Sequence, residues 1–116
     1  MTLAISPAAR DALEGWLTHL RALDGRSPKT VAAYGTDVRG WLAFLAQHRG
    51  GTEGLSGLID VPVSDLRAWM AHERTRGVAS RSVARALSAV KGFTAWLADR
   101  HGGDATTILQ TRAPRF

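Results

Sequence analysis

Between Ser80 and Arg100 the chain reads SRSVARALSAVKGFTAWLADR, and this stretch restricts the fold more than any other. Val83, Ala86, Leu87, Val90, Phe93, Thr94 and Leu97 recur at three- and four-residue steps, the period of an α-helix with one apolar stripe. A helix of that length spans about 30 Å at about 1.5 Å per residue, so it has to be a main strut of the domain. Arg81, Arg85 and Ser88 project from the opposite side, with Lys91 on the flank, and the stretch holds no carboxylate before Asp99. Ala84, Ala89 and Gly92 keep that outer row slim. Two readings fit such a face. It is a solvated surface that happens to be basic, or it lies against phosphates, where cations neutralise charge and small residues permit close approach.

The charge distribution bears on that choice. Residues 1–61 hold six basic and six acidic groups, whereas residues 62–116 hold nine and four, so the whole net charge of +5 lies in the second half. A one-sided basic excess points to a polyanion partner, most often nucleic acid. No segment joins a basic face to a broad apolar face left free of core duty, and no apolar run approaches membrane-spanning length, so no membrane role is expected. MTLAISPAAR lacks the basic start and long apolar run of an export signal. Cysteine is absent, which rules out disulfides and thiolate metal sites and fits a cytoplasmic location.

Three more helices precede the basic one. Ser6-Pro7 opens the first, with an N-cap serine followed by proline at the first helical position, and Leu13, Trp16, Leu17, Leu20 and Leu23 form its stripe. Ser27-Pro28 repeats the opening for a second helix running to about Arg49, whose inward residues are Val31, Tyr34, Val38, Trp41, Leu42 and Leu45. Its other side, Lys29, Ala33, Thr36, Gly40 and Ala43, is unusually small, which suggests that another helix or a DNA backbone packs there. The N–H groups at its start, beside Ser27, Lys29 and Thr30, make a plausible phosphate seat. Residues 50–62 read as a glycine-rich loop anchored by Leu55, Leu58 and Ile59, without the Gly-Lys-Ser/Thr of a nucleotide-binding loop. A third helix covers about 64–76, with Leu66, Trp69 and Met70 inward, and Gly77 stops it. After the basic helix, Asp104 caps a last turn holding Ile108 and Leu109. The expected fold is all-α: a four-helix orthogonal bundle with a short fifth helix, residues 1–109, followed by the start of a linker over 110–116.

No enzyme chemistry is legible. The four histidines have no metal-ligand spacing, no serine sits in a Gly-x-Ser-x-Gly elbow, and no cofactor or metal is implied. Tyr34, the only tyrosine, reads as a packing ring with its hydroxyl near the surface.

The order of these pieces resembles the N-terminal core-binding, SAM-like domain of bacterial tyrosine recombinases and integrases of the Xer type. That family has a helix ending before S-x-x-T-x-x-x-Y-x-x-D-L-x-x-F, met here by Ser27, Thr30, Tyr34 and Asp37, with Val38 and Trp41 as apolar departures. It then has G-x-S-x-x-T/S-x-x-R-x-L-S-A-L-R-x-F-Y-x-x-L. Gly77 lies one residue too far upstream, but Ser80, Val83, Arg85, Leu87, Ser88, Ala89, Val90, Lys91, Phe93 and Leu97 follow in register. The resemblance implies a module that clamps one face of a recombination half-site, with the helices starting at Ser27 and Ser80 crossing the duplex. Its DNA contacts would be Lys29, Thr30 and Tyr34 on one helix and Arg81, Ser82, Arg85, Ser88 and Lys91 on the other. Most of these would touch phosphate, while Arg81 or Arg85 would reach a guanine edge. It also implies double-stranded DNA and partner recombinase protomers as partners, and a monomeric isolated domain. The family's catalytic residues lie in a second domain, and no histidine here is followed three residues later by arginine, so the chain alone is not expected to be an enzyme. Two other readings are a helix-turn-helix transcriptional domain over residues 64–100 and a helical protein-interaction module.

Overall fold

The computed structural model describes residues 5–51 and 54–113. They form six helices: α1 (Pro7–Ala22), α2 (Pro28–His48), α3 (Ser56–Ile59), α4 (Val63–Thr75), α5 (Ser80–His101) and α6 (Thr106–Gln110). There is no strand among the described residues. The four long helices and the last short one stand where the sequence puts them. The extra element is α3, a single turn inside the glycine-rich segment, too short to show a period. It buries Leu58 and Ile59 as anchors, with Leu55 half-buried.

Local chemistry sets the helix ends. The Ser6 hydroxyl oxygen accepts the Ala9 N–H at 3.1 Å, and Ser27 does the same for Thr30 at 3.2 Å, each just ahead of a proline. At the end of α4, Gly77 takes φ 84°, a left-handed conformation that L side chains resist, and the Val78 N–H reaches back to the Glu73 carbonyl. Ahead of α6 the N-cap position falls to Ala105, not Asp104; Asp104 Oδ1 instead accepts the Thr106 N–H at 2.9 Å in a turn just before the helix.

Helix α5 is the centre of the molecule and touches each of the other five. Val83, Leu87, Val90, Phe93 and Leu97 are buried along it. Thr94 is buried too, and its hydroxyl is satisfied by donating to the Val90 carbonyl at 2.8 Å. Because several helices pack on α5, some of its slim residues also serve packing, although Gly92 stays exposed on the outer row. Ala89 is fully buried rather than outward. A Cβ on Gly92 would stand 3.3 Å from Trp16 of α1, and one on Gly15 of α1 would stand 3.0 Å from Trp96 of α5. The α1–α5 crossing is thus a reciprocal pair, each helix offering a glycine to the other's tryptophan. Gly35 does the same for Leu17 where α1 meets α2.

One inward assignment fails. Leu23 is 76% exposed, because α1 ends at Ala22 and the chain turns away through Gly25. Leu109 is largely exposed, since a five-residue helix turns only Ile108 fully inward. Met70 is half-buried at the edge of the core.

Candidate nucleic-acid interface

Helices α2 and α5 share the most extensive contact in the fold. Along that seam Thr36, Asp37 and Gly40 of α2 line one depression with Ser82 and Arg85 of α5, closed at its far end by Glu73, Arg76 and Val78. Gly40 faces open space: a Cβ built there meets nothing within 4 Å. No helix covers the small-residue side of α2 at that point. The glycine in a tight helix contact is Gly35, which lies on a different side.

The predicted contact residues differ in their freedom to bind. Lys29 and Arg81 are exposed and Lys91 is half-buried. None of the three makes an ion pair or hydrogen bond among the described residues. Arg81, Arg85 and Ser88 share one line of α5, whereas Lys91, six residues beyond Arg85, lies about 120° around the helix from it at 3.6 residues per turn. Thr30 is already engaged. Its N–H donates to Ser27 Oγ, and its hydroxyl oxygen accepts from the Ser27 hydroxyl at 3.0 Å. With the Val31 N–H bonded to the Ser27 carbonyl and Pro28 carrying no N–H, only the Lys29 amide stays open in the first turn. The phosphate seat expected at this helix start is therefore narrower than the sequence suggests.

Tyr34 is half-buried, its ring stacked on Trp16 at 6.1 Å with 6° between planes, and Trp16 in turn meets Phe93 edge-on at 5.8 Å. The tyrosine thus stands at the junction of α1, α2 and α5, as a packing ring should. Ser82 is half-buried within the depression and Ser88 is exposed.

Arg85 brings the main correction. Within α5 no carboxylate precedes Asp99, but α2 supplies one from outside. Arg85 Nε donates to Asp37 Oδ2 and Nη2 to Asp37 Oδ1, both at 2.9 Å. Asp37 is 8% exposed and Arg85 is 50% exposed. Hydrogen bonding to Asp37, and then its negative charge, hold the Arg85 guanidinium above the usual arginine range, so it stays ionised at any ordinary pH. Arg85 is therefore not a free cation. It is one half of a two-pronged pair that locks α2 to α5. Asp37, which the sequence shows only as a motif match, is the acceptor of both bonds.

Elsewhere, Arg49 at the end of α2 donates through Nε and Nη2 to Asp65 of α4, at 3.0 and 2.8 Å, and through Nη1 to the Gly57 carbonyl at 2.7 Å. This network fixes the far end of α2 and so the angle at which its outer side is presented. No group of three or more metal-ligating side chains occurs among the described residues, and no described helix is long and apolar enough to cross a membrane. A helix-turn-helix over residues 64–100 fits poorly, because α5 has 22 residues and its middle, at Ala89, Val90 and Phe93, is buried.

A two-helix seam with open cations, inside a bundle of this helix order, defines a class. The chain belongs to the family described as phage integrase, N-terminal SAM-like domain, which matches over residues 13–101. It is similar to the tyrosine recombinase XerC of Methylobacterium nodulans (39% identical over 95% of this chain and 34% of the relative). It is also similar to XerC of Nitrobacter winogradskyi (38% identical over 86% of this chain and 31% of the relative) and of Bradyrhizobium diazoefficiens (36% identical over 94% and 34%). The chain spans about a third of the length of these relatives. No solved structure gives a significant match.

Proposed function

We propose that this chain is the DNA-binding module of a Xer-type site-specific tyrosine recombinase, gripping one face of a recombination half-site during strand exchange. Double-stranded DNA is its ligand, and recombinase protomers are its protein partners. The observation that carries the reading is the pair of open cations, Lys29 on α2 and Arg81 on α5, on the two helices that pack together along an uncovered seam. Family membership supplies the recombinase context. A duplex laid on this surface gains contacts with Lys29, Arg81 and the hydroxyls of Ser82 and Ser88, while Thr30 and Tyr34 shape its edge. Lys91 reaches phosphate only from the flank.

The test is affinity for a nonspecific duplex as a function of salt. Each phosphate contact contributes about 0.9 to the slope of log K against log salt. The double variant Lys29→Ala, Arg81→Ala should bind more weakly, with a slope shallower by about 2. A slope unchanged in that variant would mean the duplex lies elsewhere. Arg85→Ala is a poor substitute, because it leaves the nearly buried Asp37 carboxylate without its partner and so confounds binding with stability.

A further inference from the structure

We propose that Arg85 is a base-reading residue with Asp37 as its positioning residue, and that the pair recognises a guanine in the major groove, an inference that rests on the DNA reading above. The geometry separates Arg85 from its neighbours. Asp37 occupies the Nε and Nη2 hydrogens on one side of the guanidinium. That leaves the Nη1–Nη2 edge, with two parallel N–H donors, on a side chain that is half exposed. Two parallel donors on a planar group match the O6 and N7 acceptors of guanine. The carboxylate is nearly buried and grips through two bonds, so the guanidinium is fixed before any ligand arrives, which is what a specificity contact requires.

Charge favours a base over a phosphate as its ligand. The Arg85–Asp37 pair carries no net charge, so its attraction for a phosphate is weak, while its donors remain available to a neutral base edge. Lys29 and Arg81, with no acidic partner among the described residues, are the better phosphate ligands. Ser82 and Gly40 on the walls of the same depression are small enough to admit a base edge. Removing the Asp37 charge should therefore strengthen nonspecific binding while weakening sequence preference. A purely structural ion pair would leave the sequence preference unchanged.

The experiment selects from a pool of duplexes with a randomised core, using the 116-residue chain and its variants, and then measures salt slopes on a nonspecific duplex. The unaltered chain should enrich guanine in one column of its recovered sequences by roughly 5- to 150-fold. Arg85→Lys keeps the charge and the pairing with Asp37 but lacks the planar fork, so that preference should fall below about 3-fold while the other columns hold. Asp37→Asn should also flatten the column, and it should steepen the salt slope by about 0.9 as Arg85 becomes a free cation. Should Asp37→Asn not fold, Arg85→Lys decides alone. A guanine column that persists in Arg85→Lys, or an Asp37→Asn slope equal to that of the unaltered chain, overturns the inference. Binding by the unaltered chain without any guanine column overturns it too, while leaving the DNA reading intact. A pool not retained at low salt overturns both.

Discussion

Trp16→Ala should lower the stability of the domain by about 3–5 kcal/mol, the largest loss expected from any single change here. Trp16 is buried at the meeting point of three helices, stacked on Tyr34, edge-on to Phe93 and seated in the notch that Gly92 leaves on α5. Truncation opens a cavity that no neighbour can collapse into, because Tyr34 and Phe93 are held by separate helices. Domains of this size have only about 5–15 kcal/mol in total, so the variant should sit near the edge of folding. Its thermal midpoint should drop by roughly 12–20 °C, at about 4 °C per kcal/mol. Denaturant titration measures the effect. A loss below about 1.5 kcal/mol would mean that the three-helix junction is looser than described.

The second large effect is at Asp65. Arg49 and Asp65 are each only 14% exposed, so removing the carboxylate takes from a largely buried guanidinium the two charge-assisted hydrogen bonds at 3.0 and 2.8 Å that tie α2 to α4. Asp65→Ala should cost about 2–4 kcal/mol, somewhat under the range for a fully buried pair because some solvent reaches it. The double change Arg49→Met, Asp65→Leu should recover most of that loss, since two apolar groups need no partner. Equilibrium unfolding of the three variants tests this directly. If the double variant is no more stable than Asp65→Ala, the cost lies in packing and not in the lost charge pairing. Because Asp65 opens α4 and Arg49 closes α2, Asp65→Ala should also loosen the far end of the seam proposed to meet DNA.

The helices were legible because their signals are local. Ser6-Pro7 and Ser27-Pro28 mark starts, Gly77 marks a stop, and the stripes repeat every three or four residues. Misreadings arose where tertiary packing overrides one-dimensional pattern. Leu23 keeps the period of α1, yet the helix ends one residue before it. Ala89 and Gly92 look like an outer row if α5 has a single apolar stripe. In fact helices pack on more of α5 than one stripe: Ala89 is buried, and Gly92, though exposed, makes room for Trp16 of α1. The Asp37–Arg85 bond spans 48 residues and has no local signature. A mid-helix carboxylate on the flank of the buried stripe of α2 was the one available hint. The basic side of α5 is therefore less strongly charged than its sequence alone indicates, and among the predicted contact residues the open cations are Lys29, Arg81 and the flanking Lys91.

The central claim is that DNA lies on the outer side of α2 and the N-terminal half of α5. Backbone amide shifts recorded while a short duplex is added at low salt address it most directly. Shifts clustered at residues 29–40 and 81–88, fading as salt is raised, are the predicted result. Shifts centred instead on α1 and the C-terminal half of α5, or none at all at low salt, would contradict it.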